Sequence, residues 1–148
     1  MSMFSSFDIN ASGLTAQRFR MDTISENVAN ANTTRTEDGT PYRRKVVTFE
    51  QKGEQTSFSR VLNKATDRYS GQGVKVSGVY EDTWTETKLV YDPSHPDANE
   101  NGYVEYPNVN IISEMTNLID ASRAYEANST AFTASKSMAL KGLQMSSV

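Results

Sequence analysis

Apolar residues recur every seven positions near both ends of the chain, with mostly polar residues between them. Near the N-terminus this repeat contains Phe7, Leu14, Met21 and Val28, with Ile24 three residues after Met21. Such a repeat places its apolar members along one face of a helix that packs against other helices. We predict this first helix over residues 8–31, with Ser5 and Asp8 as a variant capping box at its start. Asn30 and Asn32 suit its end, because asparagine tolerates the left-handed backbone conformation.

The same repeat is longer after Pro107, where it predicts a second helix. It contains Ile111, Leu118, Tyr125 and Phe132, and it is flanked by Met115 and Leu143. Asn108 or Asn110 can cap this helix, and Glu114 lies where the positive end of the helix dipole favours an acidic residue. A repeat longer than about 25 residues is typical of coiled coils, membrane spans or repeat proteins. The polar residues within it exclude a membrane span. We term the two apolar faces the helix seams.

The middle of the chain has a different composition. All four prolines lie there, together with most of the glycines and tyrosines. Aromatic residues bounded by turn-forming residues are typical of strands. We predict four strands, over residues 42–49, 74–80, 83–91 and 102–106. One short helix between the first two strands is predicted by residues at helical spacing, namely Phe58, Val61, Leu62 and Ala65.

These patterns predict an α+β fold, in which long N- and C-terminal helices pair in a coiled-coil-like manner and flank a small β-rich insert. The predicted divisions are 1–36 for the N-terminal helix and its junction, 37–107 for the insert, and 108–148 for the C-terminal helix. Alternate seam positions of the second helix are small or polar, namely Glu114, Ala121, Asn128, Ser135 and Gly142. A two-stranded coiled coil would be poorly filled, so further helices would complete a multi-helix wall. The periodicity leaves a second arrangement open, in which both helices pack on the insert as one domain.

Composition narrows the classes of function. The chain has 148 residues, a net charge of -3 at pH 7, 36% hydrophobic residues and no cysteine. The slightly acidic balance gives no electrostatic reason to expect binding of nucleic acid or of an anionic membrane. The lack of cysteine excludes disulfides, thiolate chemistry and zinc fingers. The first residues show no basic region followed by an apolar run, so we expect a soluble protein or one exported without a cleaved signal.

The segment DANENG at residues 97–102 fits the first half of a calcium-binding loop. It has oxygen-bearing side chains at alternate positions and glycine at the sixth. The twelfth position, which should supply a bidentate glutamate, is Asn108, and no helix precedes the loop, so a solvated turn is the preferred interpretation. His95, the single histidine, is predicted to be an exposed loop residue without a catalytic partner. Neither a catalytic site nor a cofactor is expected.

Arg43, Arg44 and Lys45 form the one dense basic cluster. In a strand, their side chains alternate between the two faces. The cluster fits a solvated edge strand, and it also fits contact with a neighbouring subunit through acidic residues such as Glu81 and Asp82. A nucleic-acid surface would require a broader basic patch with stacking aromatic residues.

Several motifs occur in an order that resembles one known family. They are LTAQR at 14–18, NVANANTT at 27–34, DGTPYRRK at 38–45, LVYDPSHPDANENGYVEYPNV at 89–109, SRAYEAN at 122–128 and SKSMALKGLQM at 135–145. On these motifs, which cover nearly the whole chain, the sequence resembles the bacterial flagellar axial proteins, and among them those of the proximal rod.

The resemblance implies a structural rod subunit whose terminal helices pair as a segment of an inner tube. The helix seams would then be the assembly interface. A junction motif would lead from the tube into the outer insert, and it consists of Asn27, Asn30, Asn32, Thr33 and Thr34. The implied function is mechanical: the rod carries torque from the motor ring toward hook and filament and encloses the export channel. No reaction is catalysed.

The resemblance also implies partners and a location. The partners are other copies of the chain, other rod proteins, the ring-to-rod adaptor, the distal rod and the flagellar type III export apparatus. The location is the rod of the basal body, reached by export without a cleaved signal peptide and without direct membrane insertion. Two alternatives remain: another type III-exported axial or needle-like component, and a monomeric calcium-binding α+β module.

Overall fold

A computed structural model describes residues 3–53 and 72–146 of the chain. In chain order its elements are α1 (Met3–Ala29), β1 (Lys45–Gln51), β2 (Val74–Glu81), β3 (Lys88–Tyr91), β4 (Tyr103–Tyr106) and α2 (Ile111–Ser146). β1 pairs with β2, and β3 pairs with β4, in two separate two-stranded sheets. The protein therefore has the predicted α+β composition, two long helices with small sheets between them. The short helix predicted at Phe58, Val61, Leu62 and Ala65 lies outside the described residues.

The first helix extends further toward the N-terminus than the sequence pattern predicts. It begins at Met3 instead of residue 8, so Ser5 and Asp8 lie inside the helix and the predicted capping box is wrong. No glycine or proline precedes Gly13, and therefore nothing near the predicted start interrupts the helix. Its end at Ala29 differs from the predicted end by the one or two residues that are usual for helix boundaries.

Asn110 caps the start of α2. Its Oδ1 accepts a hydrogen bond from the N–H of Ile112 at 3.0 Å, and its carbonyl accepts one from the N–H of Glu114 at 2.9 Å. The side chain thereby satisfies an N–H group that the first turn of a helix leaves unpaired. Of the two asparagines predicted as caps, Asn110 is the cap and Asn108 is not.

Three of the four strands lie close to their predicted positions. β2 and β4 match the predicted residues 74–80 and 102–106 to within one residue at each end. β1 begins at Lys45 instead of residue 42, because the N–H of Tyr42 donates to the carbonyl of Thr33 at 3.1 Å.

The third predicted strand is reduced to its last four residues, β3. The cause is Asp82, whose Oδ1 accepts hydrogen bonds from the N–H groups of Trp84 and Thr85, each at 3.1 Å. Such bonds hold the chain in a turn and use donors that a strand would need for its neighbour. β3 pairs antiparallel with β4, with Val90 opposite Val104.

The chain divides into two compact units, and each contains part of both helices. The unit that we term the end unit consists of Met1–Arg18, Phe49–Ser77 and Ser122–Val148. The junction unit consists of Phe19–Thr48 and Gly78–Ala121. Each unit thus brings together segments that are far apart in the sequence.

In the end unit, the two helices contact each other. The rings of Phe7 and Phe132 meet edge to face, with centroids 5.1 Å apart. A Cβ at Gly13 would lie 2.9 Å from Oδ1 of Asn128, so the absence of a side chain permits this close approach. Because residue 7 meets 132 and residue 13 meets 128, these two helix segments run antiparallel.

β2 begins directly against α1 in the same unit. The Ser12 hydroxyl accepts a hydrogen bond from the N–H of Val74 at 3.0 Å and donates to the carbonyl of Ile9 at 2.7 Å. A Cβ at Gly73 would lie only 2.1 Å from that hydroxyl oxygen. The strand can therefore approach the helix this closely only with glycine at position 73.

The junction unit has a small core of its own. Ala31, Tyr42 and Val109 form a cluster of buried side chains, and Val104 of β4 is fully buried. The loop between β3 and β4 ends at Gly102, whose φ of 79° lies in the left-handed region that glycine adopts without strain. This arrangement fixes the hairpin beside the connection to α2.

Candidate functional site

A buried polar network lies inside the junction unit, where α1 ends and α2 begins. Asn27, in the last turns of α1, is 0% exposed. Its side-chain amide binds the backbone of Lys45 as a neighbouring strand would: Oδ1 accepts the N–H and Nδ2 donates to the carbonyl, both at 2.8 Å. Asn27 therefore fastens the first residue of β1 to the end of α1.

Glu114 and Arg44 form the charged part of this network. Glu114 is only 1% exposed, and its Oε1 accepts a hydrogen bond from Nε of Arg44 at 2.8 Å. Its Oε2 accepts a second bond, from Nδ2 of Asn27 at 3.0 Å. A carboxylate buried this deeply requires such partners, because an unpaired charge is strongly disfavoured away from water. The network thus joins α1, the start of β1 and the first turn of α2.

Asn108 extends the network to the residues that follow β2. Its Oδ1 accepts a hydrogen bond from the N–H of Arg44 at 2.9 Å, and its Nδ2 donates to the carbonyls of Asp82 and Thr85 at 2.8 and 3.1 Å. From the sequence, Asp82 is a candidate contact of the basic cluster between neighbouring subunits; within the chain, Oδ2 of Asp82 lies 3.7 Å from Nη1 of Arg44. The segment before α2 is thereby bound to the residue that precedes β1 and to residues that follow β2.

Tyr42 completes the network. Its hydroxyl donates to Oδ1 of Asn27 at 2.9 Å, and the residue is 8% exposed. Burial, and next the nearby carboxylate of Glu26, raises the pKa of Tyr42 from 10.0 to about 12. The phenol therefore remains a hydrogen-bond donor throughout the neutral range.

Two members of the basic cluster have partners within their own chain. Arg44 is held by the network. Lys45 forms an ion pair with Glu26, and its ammonium lies 5.7 Å from the ring centre of Tyr42. Arg43 makes no hydrogen bond or ion pair with the residues that the structure describes. Of the three, Arg43 is the side chain that is left available to a neighbouring chain.

The junction motif forms a turn after α1. Nδ2 of Asn30 donates to a carbonyl in the last turn of the helix at 3.0 Å, and its Oδ1 accepts from the Thr33 hydroxyl at 3.2 Å. The Thr34 hydroxyl donates to the carboxylate of Asp97 at 2.8 Å, while Asn32 is exposed. Short polar side chains thus bind the groups that the end of a helix leaves free.

The DANENG loop uses its oxygen atoms within the chain. The Asp97 carboxylate lies 3.7 Å from Nη1 of Arg35. Oδ1 of Asn99 accepts hydrogen bonds from the N–H groups of Asn101 and Tyr103 at 3.0 and 2.9 Å. These contacts favour the turn interpretation over a calcium loop. In residues 3–53 and 72–146, no group of three or more acidic or histidine side chains is placed to hold a metal ion.

His95 is more enclosed than predicted. Its side chain is 25% exposed, and its Nδ1 accepts a hydrogen bond from the N–H of Asp97 at 3.1 Å. Its ring centre lies 6.3 Å from that of Tyr106. The prediction of an exposed loop histidine is therefore wrong, because this backbone hydrogen bond holds the ring against the hairpin.

The seam residues differ widely in exposure. Phe7 and Phe132 contact each other, and Ile24 is buried. The partly buried members are Leu14, Met21, Val28 and Leu118. The exposed members are Ile111, Met115, Tyr125 and Leu143, at 43%, 55%, 37% and 67%. The seam of α1 is therefore covered within the chain more completely than the seam of α2.

Sequence reasoning did not identify the network. From the sequence alone, Glu114 is a favourable charge at the helix dipole, Asn108 is a candidate cap or the twelfth position of an incomplete calcium loop, and Tyr42 is the first residue of a strand. One signal was present: Asn27 lies next to Val28 and three residues after Ile24, and Glu114 occupies an alternate seam position of the second helix. A polar residue on the buried face of a helix requires a hydrogen-bond partner, and the basic cluster supplies one.

In the described ranges, no helix combines the length and the apolar character needed to cross a bilayer. Both ends of the chain match known protein families. Residues 7–35 match the family of flagella basal body rod proteins, and residues 100–145 match the C-terminal family of the flagellar basal body rod FlgEFG proteins.

Individual relatives align along nearly the whole chain. The flagellar basal-body rod protein FlgC of Bacillus subtilis is 48% identical, over 98% of this chain and 99% of its own length. FlgC of Borreliella burgdorferi is 47% identical over 93% of both chains, and FlgC of Salmonella typhimurium is 41% identical over 98% of both. The chain belongs to the FlgC family of flagellar basal-body rod proteins.

Proposed function

We propose that this chain is a structural subunit of the flagellar rod in the basal body and that it catalyses no reaction. The proposal is supported by the family and, from the geometry, by the apolar side chains that α2 leaves in water. The large exposed ones are Ile111, Ile112, Met115, Ile119, Tyr125, Met138, Leu140, Leu143 and Met145. Large apolar patches on a soluble protein mark interaction sites. We expect neighbouring subunits to cover these side chains in the assembled rod.

In the rod, the two helices of each copy pair in a coiled-coil-like manner as a segment of an inner tube. The antiparallel contact of α1 and α2 in the end unit, at Phe7 and Phe132, supports this pairing. Neighbouring copies complete the multi-helix wall at the seam positions that remain exposed. Residues 1–36 and 108–148 then form the tube, and residues 37–107 form the outer insert.

The buried network gives the subunit a means of carrying torque. A force on either helix reaches the first strand of the insert through Asn27, Arg44 and Glu114, which are joined at 2.8 to 3.0 Å. Hydrogen bonds to a charged group, such as those that Glu114 accepts, are stronger than neutral ones, and the two bonds between the Asn27 amide and the Lys45 backbone fix the orientation of the start of β1. The helices and the insert then rotate as one body, and the subunit transmits torque from the motor ring toward hook and filament.

The subunit's partners follow from its place in the rod. They are other copies of the chain, other rod proteins, the ring-to-rod adaptor and the distal rod, together with the type III apparatus that exports the chain without a cleaved signal. The tube encloses the export channel. Arg43 is the member of the basic cluster that we assign to contact with a neighbouring subunit, since Arg44 and Lys45 are paired internally.

The decisive experiment is Leu118→Pro, tested for incorporation into isolated basal bodies and for swimming. Proline inside a helix removes a hydrogen bond and costs about 3 kcal/mol or more, so α2 can no longer complete the tube. We expect no incorporation and no swimming, while the volume-conserving Leu118→Met is incorporated normally. Normal motility of the proline variant would refute the proposal.

Limited proteolysis of the dilute chain provides a second test. Uncovered helix seams should let the two ends of the chain open, which predicts early cleavage near Arg18, Arg20, Arg123 and Lys136 and survival of the centre of the chain. Uniform protection of the whole chain would instead favour the arrangement in which the helices pack on the insert as one closed domain.

A further inference from the structure

Trp84 is the chain's single tryptophan, and 94% of it is exposed. It lies at the tip of the turn between β2 and β3. A side chain this large and apolar is seldom left in water, and tryptophan is among the residues that contribute most to binding at protein interfaces. The exposed indole therefore points to an interaction surface.

The turn that carries Trp84 is held rigidly. Besides its bonds to the N–H groups of Trp84 and Thr85, the Asp82 carboxylate accepts the Thr85 hydroxyl at 2.9 Å. Nδ2 of Asn108 holds the carbonyls at both ends of the turn, those of Asp82 and Thr85. A side chain presented on a fixed backbone loses little conformational freedom on binding. We term residues 81–86 the Trp84 tip.

An open apolar cleft lies in the same unit. Its volume is about 470 Å³, and it is lined by Val90, Pro107, Val109, Ile111, Ile112 and Lys88, among others. This volume falls in the range of roughly 300 to 1,000 Å³ that is typical of pockets for small ligands, so it accommodates an indole ring. Ile112 is 78% exposed and Val90 is 44% exposed, which leaves the rim of the cleft open to a partner.

The charges of the tip and the cleft are complementary. Glu81 and Glu86 are exposed on either side of Trp84, whereas Lys88 is the charged residue of the cleft lining. Opposite charges at the rim of an interface steer association and set its register. One copy of the chain thus carries both a protruding apolar anchor with an acidic rim and a matching cleft with a basic rim.

We propose that the Trp84 tip of one copy inserts into the apolar cleft of a second copy. The inference rests on the proposed function, since it names the contact by which copies of this chain associate side by side. A tip that binds a different part of the next molecule makes a heterologous contact, and repeated heterologous contacts build rings or helical assemblies. Subunits arranged around a rod require ring or helical symmetry of this kind.

A mixing experiment with purified chains tests the contact directly, with Trp84 as the fluorophore. Trp84→Ala leaves the cleft intact and removes the signal, while Val90→Asp keeps the indole and places a charge in the cleft. When excess Trp84→Ala chain is added to the Val90→Asp chain, the tryptophan emission should shift to shorter wavelength as the indole leaves water. Adding instead a chain that carries both Trp84→Ala and Val90→Asp should produce no shift, because its cleft is blocked. An unchanged emission at every concentration up to the solubility limit overturns the proposal.

Two further variants, each made in the Trp84→Ala chain so that the added chain carries no fluorophore, separate blockage of the cleft from misfolding. Leu89→Asp adds the same charge at the neighbouring residue, whose side chain projects from the opposite face of the strand, and this chain should still shift the emission of a partner. Ile112→Asp alters the cleft from the helix side and should abolish the shift as Val90→Asp does. Equal effects of Leu89→Asp and Val90→Asp would contradict the assignment.

Cross-linking in assembled basal bodies tests the same contact in place. The chain has no cysteine, so Glu86→Cys and Ile112→Cys can be produced as separate chains in one cell. We expect a disulfide-linked dimer only when both variants are present. If the variants are found in basal bodies without a dimer, or linked to another protein, the inference fails and the proposed function stands. If the chain is absent from basal bodies, the proposed function itself fails.

Discussion

The two ends of α2 reverse the usual distribution of side chains in opposite ways. At its start, Glu114 is charged and only 1% exposed, whereas near its end Leu143 and Met145 are apolar and 67% and 82% exposed. Charged residues are almost never fully buried unless paired, and large apolar residues are normally covered. The polar groups at the start of the helix therefore find their partners within the chain, whereas the apolar side chains near its end remain available for other chains to cover.

The two parts of α2 are thus stabilised differently, one by contacts within the chain and the other by contacts with neighbouring chains. In the junction unit, each buried polar group of the network has a partner within the chain, so its geometry does not depend on assembly. Near the end of α2, the apolar side chains of Leu143 and Met145 are exposed to solvent. Substitutions in the junction unit should therefore reduce the stability of the isolated chain, and substitutions at the end of α2 should affect assembly alone.

The largest effect is expected for Glu114→Ala. Removing the carboxylate leaves Arg44 and Asn27 without their shared partner, and breaking a buried ion pair costs about 3 to 5 kcal/mol. Urea denaturation of the isolated chain should show this loss in the free energy of unfolding. The matched control is Glu126→Ala, which removes an exposed glutamate from the same helix and should cost far less. Equal losses would remove the distinction between the two parts of α2.

Asn27→Ala should have the next largest effect, a loss of about 2 to 3 kcal/mol. The substitution leaves the backbone of Lys45 and the hydroxyl of Tyr42 without partners, and buried unpaired groups carry this order of cost. Asn32→Ala, an exposed asparagine of the same motif, is the control and should change stability little. A double substitution with Glu114→Ala should cost less than the sum of the two, because the residues share a hydrogen bond.

A pair of glycines separates backbone strain from packing in the junction unit. Gly39 and Gly102 have φ values of 78° and 79°, and either alanine variant incurs about 1 kcal/mol or more for that conformation. A Cβ at Gly39 would meet nothing within 4 Å, whereas one at Gly102 would lie 3.0 Å from the ring of Tyr91. Gly102→Ala should therefore lower the midpoint of thermal unfolding more than Gly39→Ala. The opposite order would show that the loop is less tightly packed than the distances indicate.

Alkaline pH provides a smaller test of the network. Because the pKa of Tyr42 is raised from 10.0 to about 12 in the folded chain, the unfolded chain releases this proton first. The contribution of Tyr42 to the free energy of unfolding is therefore fully present below about pH 10 and is lost as the pH rises to about 12. Tyr42→Phe should cost about 1 kcal/mol at neutral pH through its lost hydrogen bond. Denaturation curves between these pH values should show a weaker pH dependence for that variant.

The smallest effect on the isolated chain is expected for Leu143→Ser and Met145→Ser. Both side chains are already exposed, so the change in unfolding free energy should remain within about 0.5 kcal/mol. Incorporation into basal bodies should nevertheless fall, because the apolar surface offered to neighbouring copies is reduced. A large loss of stability with normal incorporation would show that the end of α2 is stabilised within the chain and does not contact neighbouring copies.

Local chemistry explains why much of the fold was predictable. The seven-residue repeats located both helices, and the alternation of aromatic and turn residues located β2 and β4. The boundaries that were predicted wrongly depend on features other than the seven-residue repeat. The start of α1 lacked any interrupting residue, and β3 was shortened because the Asp82 side chain bound the backbone of Trp84 and Thr85.

The network was the least predictable feature, because its members are distant in the chain. Asn27 and Glu114 are 87 positions apart, and Arg44 and Glu114 are 70 positions apart. Each residue had a plausible local role, as a helix end, a strand cation or a favourable charge at a dipole. The pairing became visible only when the strands and helices were brought together.

The sequence by itself determined the helices, most of the strands and the family, because these depend on residue types and spacings along the chain. Only the tertiary structure decided which polar residues are buried together and which apolar residues remain exposed. Burial depends on contacts between segments that no local pattern encodes, and so Glu114 could be recognised as an internal anchor, and Trp84 as an exposed one, only in the folded chain.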